Sequence, residues 1–334
     1  FCATVEAGDV SEEDMARTTS DRLGSDIHVG SLTQRSYYPM LLRSIVDFTQ
    51  PIAHPNLARF YVNAATTTGA GRPEQILGVA SDLLFGGQSN IRSFHKYQVL
   101  SGRLSFIPDN ARRILAMAMG RPEETDLSLR LRNPLHALAE AGMGNLERAS
   151  MRQRIAAAVS GIEDARERAT KMLMIENLCD YQQHLLNRRY ELAARSGMSL
   201  LFPFLDTEIV NFAMNLPVKH CVDWSGSKKV VREAARPYLG RDLSKRAKWG
   251  GDIPTGRWIA PLRPLLENGF LVDQMRLETA VLGPLLDSNT KLLWNMLDLE
   301  IWGRLCLFGE DPEKLLDAIR KNGLESDTFE SVRR

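Results

Sequence analysis

The sequence lacks the pairings that mark a metal centre or a disulfide framework. Its four cysteines, Cys2, Cys179, Cys221 and Cys306, lie far apart and form no C-x-x-C pair. That spacing argues against a zinc site and suits a reducing cytoplasm. The six histidines are equally scattered, with no H-x-x-x-H or H-E-x-x-H pattern, so each alone reads as a core or surface histidine rather than a metal ligand. An excess of one charge is missing too. With 42 Lys+Arg against 41 Asp+Glu the formal net charge is +1, and no global field draws the chain to nucleic acid or to an anionic membrane. There is no charged-then-apolar leader and no run of about 18 apolar residues. The expectation is a cytoplasmic protein with neither nucleic acid nor membrane as partner.

What is present is ordinary globular composition, 334 residues with 44% apolar and 25% charged side chains. That length suits one large domain or two moderate ones. Phe1-Cys2-Ala3-Thr4-Val5-Glu6 already reads as a buried strand. A chain that opens inside a strand, and not on Met, is expected to have lost a segment upstream. Ser11 can cap a helix that Gly24 ends, and Asp26 to Val29 reads as extended. Strand, helix, strand is the pattern of a parallel sheet with crossover helices. Helices are predicted from Thr33 to Phe48 and from Asn56 to Thr68, separated by Pro51 and Pro55. Gln75 to Gly78 reads as a short strand, and from about residue 93 helical periodicity dominates. In the tail, Leu292-Leu293-Trp294, Leu297, Leu299 and Ile301-Trp302 form one apolar face suited to core packing.

Three segments carry chemistry. In Leu77-Gly78-Val79-Ala80-Ser81-Asp82-Leu83-Leu84-Phe85-Gly86-Gly87, a strand ends in small residues followed by an acid. That combination brings backbone amides and a carboxylate to the carboxyl edge of a parallel sheet, where open α/β folds bind ligands. Gly78, Ala80 and Ser81 let a ligand approach the backbone, and Asp82 can hold magnesium on phosphates. A plain strand-to-helix turn capped by Ser81 or Asp82 fits the same residues. Phe202-Pro203-Phe204-Leu205-Asp206 opens a helix capped by Asp206, with Ile209, Val210, Phe212 and Ala213 packed inward and Pro217 stopping it. Lys245 to Pro254 is a basic, glycine-containing loop, preceded by Gly226 to Arg232. Such a loop either is a solvated surface segment or places a lysine against charge developing on phosphorus or carbon.

Together, in this order, these segments resemble the synthetase domain of the asparagine synthetase family, over residue 1 to about residue 310. The family's S-G-x-G-x-D-E-x-F-G-G-Y turn is matched by Gly78, Asp82, Phe85, Gly86 and Gly87. Its P-F-L-D is Pro203 to Asp206, and its K-x-x-x-R is Lys228 and Arg232. Its R-x-K-x-G-x-x-x-P-x-x-x-W loop is Arg246, Lys248, Gly250, Pro254 and Trp258. The resemblance implies an adenine nucleotide α-hydrolase-like, doubly wound parallel sheet with a large helical carboxyl-terminal part. Residues 1–95 would form the nucleotide-binding portion and residues 96–330 the helical portion of one synthetase domain. It implies ATP and Mg2+, a carboxylate substrate such as aspartate, activation as an acyl-adenylate, and attack by ammonia from a glutamine-hydrolysing domain or subunit. A homodimer stays open. Asp82 would hold the metal, Gly78, Ser81 and Lys228 the nucleotide, and Lys248 would stabilise the transition state.

Some family features are replaced. Val79 and Leu83 stand where the turn carries acids, Thr49-Gln50 replaces an acidic pair, and Tyr190-Glu191 replaces an aspartate-arginine pair, with Arg188 nearby. No S-G-G-x-D-S phosphate loop occurs in these residues, so on this reading the first strand and its loop are missing from the sheet. These replacements keep a peptide or lactam cyclase, and a non-catalytic relative, as alternatives.

Overall fold

The computed structural model describes residues 1–5, 12–52, 54–87, 91, 145–223, 226–246, 253–267, 269–274, 286 and 290–324. In chain order these form β1 (Cys2–Val5), α1 (Glu12–Leu23), β2 (Val29–Leu32), α2 (Gln34–Phe48), α3 (Leu57–Gly69), β3 (Glu74–Ile76) and α4 (Ser81–Leu84). They continue with α5 (Asn145–Ala158), α6 (Ala165–Asn177), α7 (Gln183–Arg195), β4 (Ser199–Leu201), α8 (Thr207–Asn215), α9 (Lys229–Ser244), α10 (Thr290–Trp302) and α11 (Pro312–Leu324). A π-turn, Leu178–Gln182, joins α6 to α7. The fold is thus mixed α/β and mostly helical. β1 pairs with β2 in parallel, Cys2 facing Val29. β3 pairs with β4, Ser199 N donating to Pro73 O at 2.8 Å and Leu77 N to Leu201 O at 2.9 Å. These bonds advance in one direction along both strands, the parallel pattern. Among the described residues no helix is long and apolar enough to cross a membrane.

The chain divides into two compact units. The first comprises Phe1–Gln75, Arg188–Ser199 and Ala247–Arg334, the second Ile76–Asn187 and Leu200–Arg246.

In the first unit the strand–helix–strand opening forms as predicted, with β2 three residues later than expected. Residues 6–11, including the predicted cap Ser11, lie outside the described residues. α2 starts from a capping box in which Thr33 Oγ1 accepts from Ser36 N and Ser36 Oγ accepts from Thr33 N. Tyr37, Tyr38, Leu41, Leu42, Ile45 and Phe48 recur at helical spacing and are buried. They share one core with Trp294, Leu297 and Ile301 of α10 and Leu315, Leu316 and Ile319 of α11. Each fully buried side chain of this size contributes about 1.5–3 kcal/mol. The tail's predicted apolar face is therefore core.

Polar groups fix the same unit. Arg188 donates to Gln50 Oε1 at 2.6 Å and to Pro51 O at 3.2 Å, so the cation finds a neutral amide where the family has an acid. The fully buried Glu300 accepts from Leu271 N at 2.9 Å, Phe270 N at 3.2 Å and Arg304 Nε at 2.6 Å. Arg304 in turn donates to Leu265 O at 3.0 Å.

Removing Glu300 would take the acceptor from the buried Leu271 N and the partly buried Phe270 N, and leave Arg304 only Leu265 O and Glu310. Glu300→Ala is expected to cost about 3–5 kcal/mol in urea unfolding. Asp317→Ala, which breaks an exposed pair with Arg320, should cost less than about 1 kcal/mol. Equal losses from the two variants would contradict this assignment.

Candidate functional site

The glycine turn after β3 builds the site, within the second unit. Ala80 is the residue before α4 and has φ 68° and ψ −12°, in the left-handed region. An alanine there costs on the order of 1 kcal/mol relative to a relaxed backbone. The family motif carries glycine at this position, which supplies the same geometry without strain. Neither Ser81 nor Asp82 caps the helix, contrary to the plain-turn reading, since the cap residue is Ala80 and it makes no side-chain bond.

Both side chains instead meet Lys228. Its Nζ lies 2.9 Å from Asp82 Oδ1 and donates to Ser81 Oγ at 3.1 Å. The contact with Asp82 is a close ion pair that is not aligned as a hydrogen bond. Lys228 also has a left-handed backbone, φ 56° and ψ 34°, at the start of α9. Three non-glycine residues have positive φ among the described residues, Thr49, Ala80 and Lys228. One of the three belongs to this pair and another, Ala80, stands two residues before Asp82; such strain is often found at functional sites.

The surroundings hold these residues in place. Lys228 N donates to Phe85 O at 3.0 Å and Gly87 N to Asp82 O at 2.7 Å. A Cβ on Gly87 would stand 2.1 Å from Asp82 Oδ1 and 2.4 Å from Lys228 Cε, so the pair occupies the space that a side chain there would need. Beneath the turn, Ala80, Leu84 and Phe85 pack with Ala213 and Cys221. Phe85 meets Phe204 edge-on at 6.0 Å. The P-F-L-D segment is therefore the packing base of the acidic turn, with Asp206 capping α8 through Glu208 N at 2.8 Å. Two of its residues differ from expectation. Ile209 is 38% and Phe212 50% exposed, because Val210, Ala213 and Met214 form the inward stripe and Phe212 lies nearly opposite it.

A buried lysine closes the base. Lys171, 2% exposed, donates to Ala213 O at 2.7 Å and Leu216 O at 2.6 Å, satisfying carbonyls at the end of α8. Burial pushes its ammonium below the usual lysine range, against the opposing influence of Cys221 and Glu167. Burial likewise pushes the Cys221 thiol up, an effect that Lys171 moderates. Lys171 sits in an unremarked helical run, so no sequence motif pointed to it.

The sequence-predicted residues thus divide. Ser81, Asp82 and Lys228 come together. Gly78 lies exposed on the same turn, with nothing within 4 Å of where a Cβ would be. Lys248 lies outside the described residues. Among those residues no three His, Cys, Asp or Glu side chains cluster to hold a metal. Asp82 fits magnesium as the protein's carboxylate for an ion held otherwise by phosphate oxygens and water, an ordinary arrangement for that metal. The turn by itself is not an all-protein metal cage.

A carboxylate, a hydroxyl and an ammonium thus meet on the glycine-opened turn. The chain belongs to the asparagine synthase family, whose sequence model matches residues 1–304. The chemistry of that family is ATP-dependent formation of an amide bond, a ligase-type activity. Among curated proteins none matches the chain.

The two glycines test the geometry. Gly87→Ala should part Asp82 from Lys228 and cost about 1 kcal/mol or more, since the partly exposed side chains can shift while the Asp82 Cα, 3.1 Å from the added Cβ, is backbone. Gly78→Ala should stay within about 0.5 kcal/mol of the parent in urea unfolding. A Gly78 variant as damaging as the Gly87 variant would show that the turn is built differently.

Proposed function

We propose that the chain activates a carboxylate with ATP and converts it to an amide, in the manner of asparagine synthase (glutamine-hydrolysing). The observation that carries this reading is the meeting of Asp82 and Lys228 across two left-handed residues, beside a glycine with open space in front of it. A glycine explained by neither packing nor positive φ is what close approach of a ligand to the backbone requires.

A carboxylate oxygen of the substrate attacks the α-phosphorus of ATP and the bond to the β-phosphate bridge breaks, giving acyl-adenylate and pyrophosphate. Ammonia nitrogen then attacks the acyl carbon, AMP leaves, and one proton is released with the amide. Gly78 and Ser81 face the nucleotide, and the Lys228 ammonium neutralises charge on the departing pyrophosphate. Asp82 would hold Mg2+, which when bound would offset phosphate charge. Lys248 supplies a second ammonium to the transition state. In this proposal residues 1–95 are the nucleotide-binding part of a doubly wound synthetase domain and residues 96–330 its helical part. Aspartate or an analogue is the substrate, ammonia comes from a glutamine-hydrolysing domain or subunit, and the enzyme works in the cytoplasm, with a homodimer left open.

Val79 and Leu83 favour a second reading. Without carboxylates at those positions the site suits a different amide, as in a lactam or peptide cyclase, or a relative that no longer catalyses.

Pyrophosphate release from ATP, Mg2+ and candidate carboxylates tests both. The first reading expects release that depends on aspartate and falls by about 100-fold or more in Lys248→Ala, Lys228→Met and Asp82→Asn. Release driven by another carboxylate selects the cyclase. No release with any carboxylate, from folded full-length protein, rejects catalysis.

A further inference from the structure

Arg232 stands in the first turn of α9, its N donating to Lys228 O at 2.9 Å. Its Nε donates to Ser227 O at 2.9 Å. Its Nη1 donates to Ser244 O at 2.9 Å and to Arg246 O at 2.7 Å. All three acceptors are neutral carbonyls, so the guanidinium serves as a brace between backbone segments rather than as half of an ion pair. One brace point immediately precedes Lys228. The other two lie past the break that Gly240, at φ 75° and ψ 173°, makes in α9. The rigid planar fork of arginine suits this task, whereas lysine concentrates its donors on one atom.

We infer that Arg232 is a positioning residue of the amide-forming site, fixing the turn that presents Lys228 by tying Ser227 to the backbone of Ser244 and Arg246. The inference rests on the reading of Lys228 as a cation that faces phosphate. It assigns a role to the arginine of the K-x-x-x-R pattern that a simple cap on α9 does not include. A cap on the segment after Gly240 would touch only Ser244 and its neighbours, while the bond to Ser227 ties that segment to the residue before Lys228.

Hydrogen exchange and pyrophosphate binding together test it, on the full chain with Arg232→Lys and Arg232→Met. Both variants are expected to exchange faster at the Lys228 amide, which is bonded to Phe85 O, as well as at Arg246. Both should bind inorganic pyrophosphate about ten-fold more weakly than the parent, the loss expected from charge-assisted bonds. Faster exchange confined to residues near Ser244 would reduce Arg232 to a helix cap and overturn the inference. Parent-like pyrophosphate binding by Arg232→Lys would also overturn it, because charge alone would then suffice. A parent chain that binds no pyrophosphate counts against the nucleotide reading of Lys228, and exchange at Lys228 still decides whether Arg232 positions it.

Discussion

The contact of 2.9 Å between Lys228 and Asp82 constrains more of the second unit than its energy suggests. Its side chains are 24% and 35% exposed, and a pair of that exposure contributes at most about 1 kcal/mol. Against it stand two residues held in left-handed backbone, each costing on the order of 1 kcal/mol. Stability alone does not account for such an arrangement. On the proposed reading it is a site that holds opposite charges ready for a phosphorylated ligand, with the strain offset by packing underneath.

That packing has identifiable parts. Leu84 and Phe85 anchor the short helix from below, Phe204 braces Phe85, and Lys171 satisfies the carbonyls at the end of α8. The P-F-L-D segment therefore supports the acidic turn by packing. Gly87 supplies the space and Phe85 O the hydrogen bond that fixes the backbone of Lys228. Arg232 extends the same support to Arg246. The first unit is organised separately, around the aromatic face of α2 and the buried Glu300.

Much of this was legible in sequence where the signal is local. Proline breaks, the glycine after α1, the cap Asp206 and the helical spacing of α2 and α10 each have a short-range cause. The candidate residues were legible as types, because an acid after a glycine turn and a lysine four before an arginine are short patterns. Their meeting was not, since Ser81 and Lys228 are 147 positions apart and no pattern encodes that distance. The left-handed backbone of Lys228 was equally hidden, as lysine carries no preference for it. The exposed Ile209 and Phe212 show a further limit. Periodicity proposes a helix, but the neighbouring elements decide which stripe turns inward.

Competitive acylation of lysines, read by mass spectrometry with and without ATP and Mg2+, tests most directly whether the Asp82–Lys228 turn seats a nucleotide. The account predicts that nucleotide protects Lys228 while the exposed Lys219 labels at an unchanged rate. Labelling of Lys228 that does not respond to saturating nucleotide in the folded protein would contradict it.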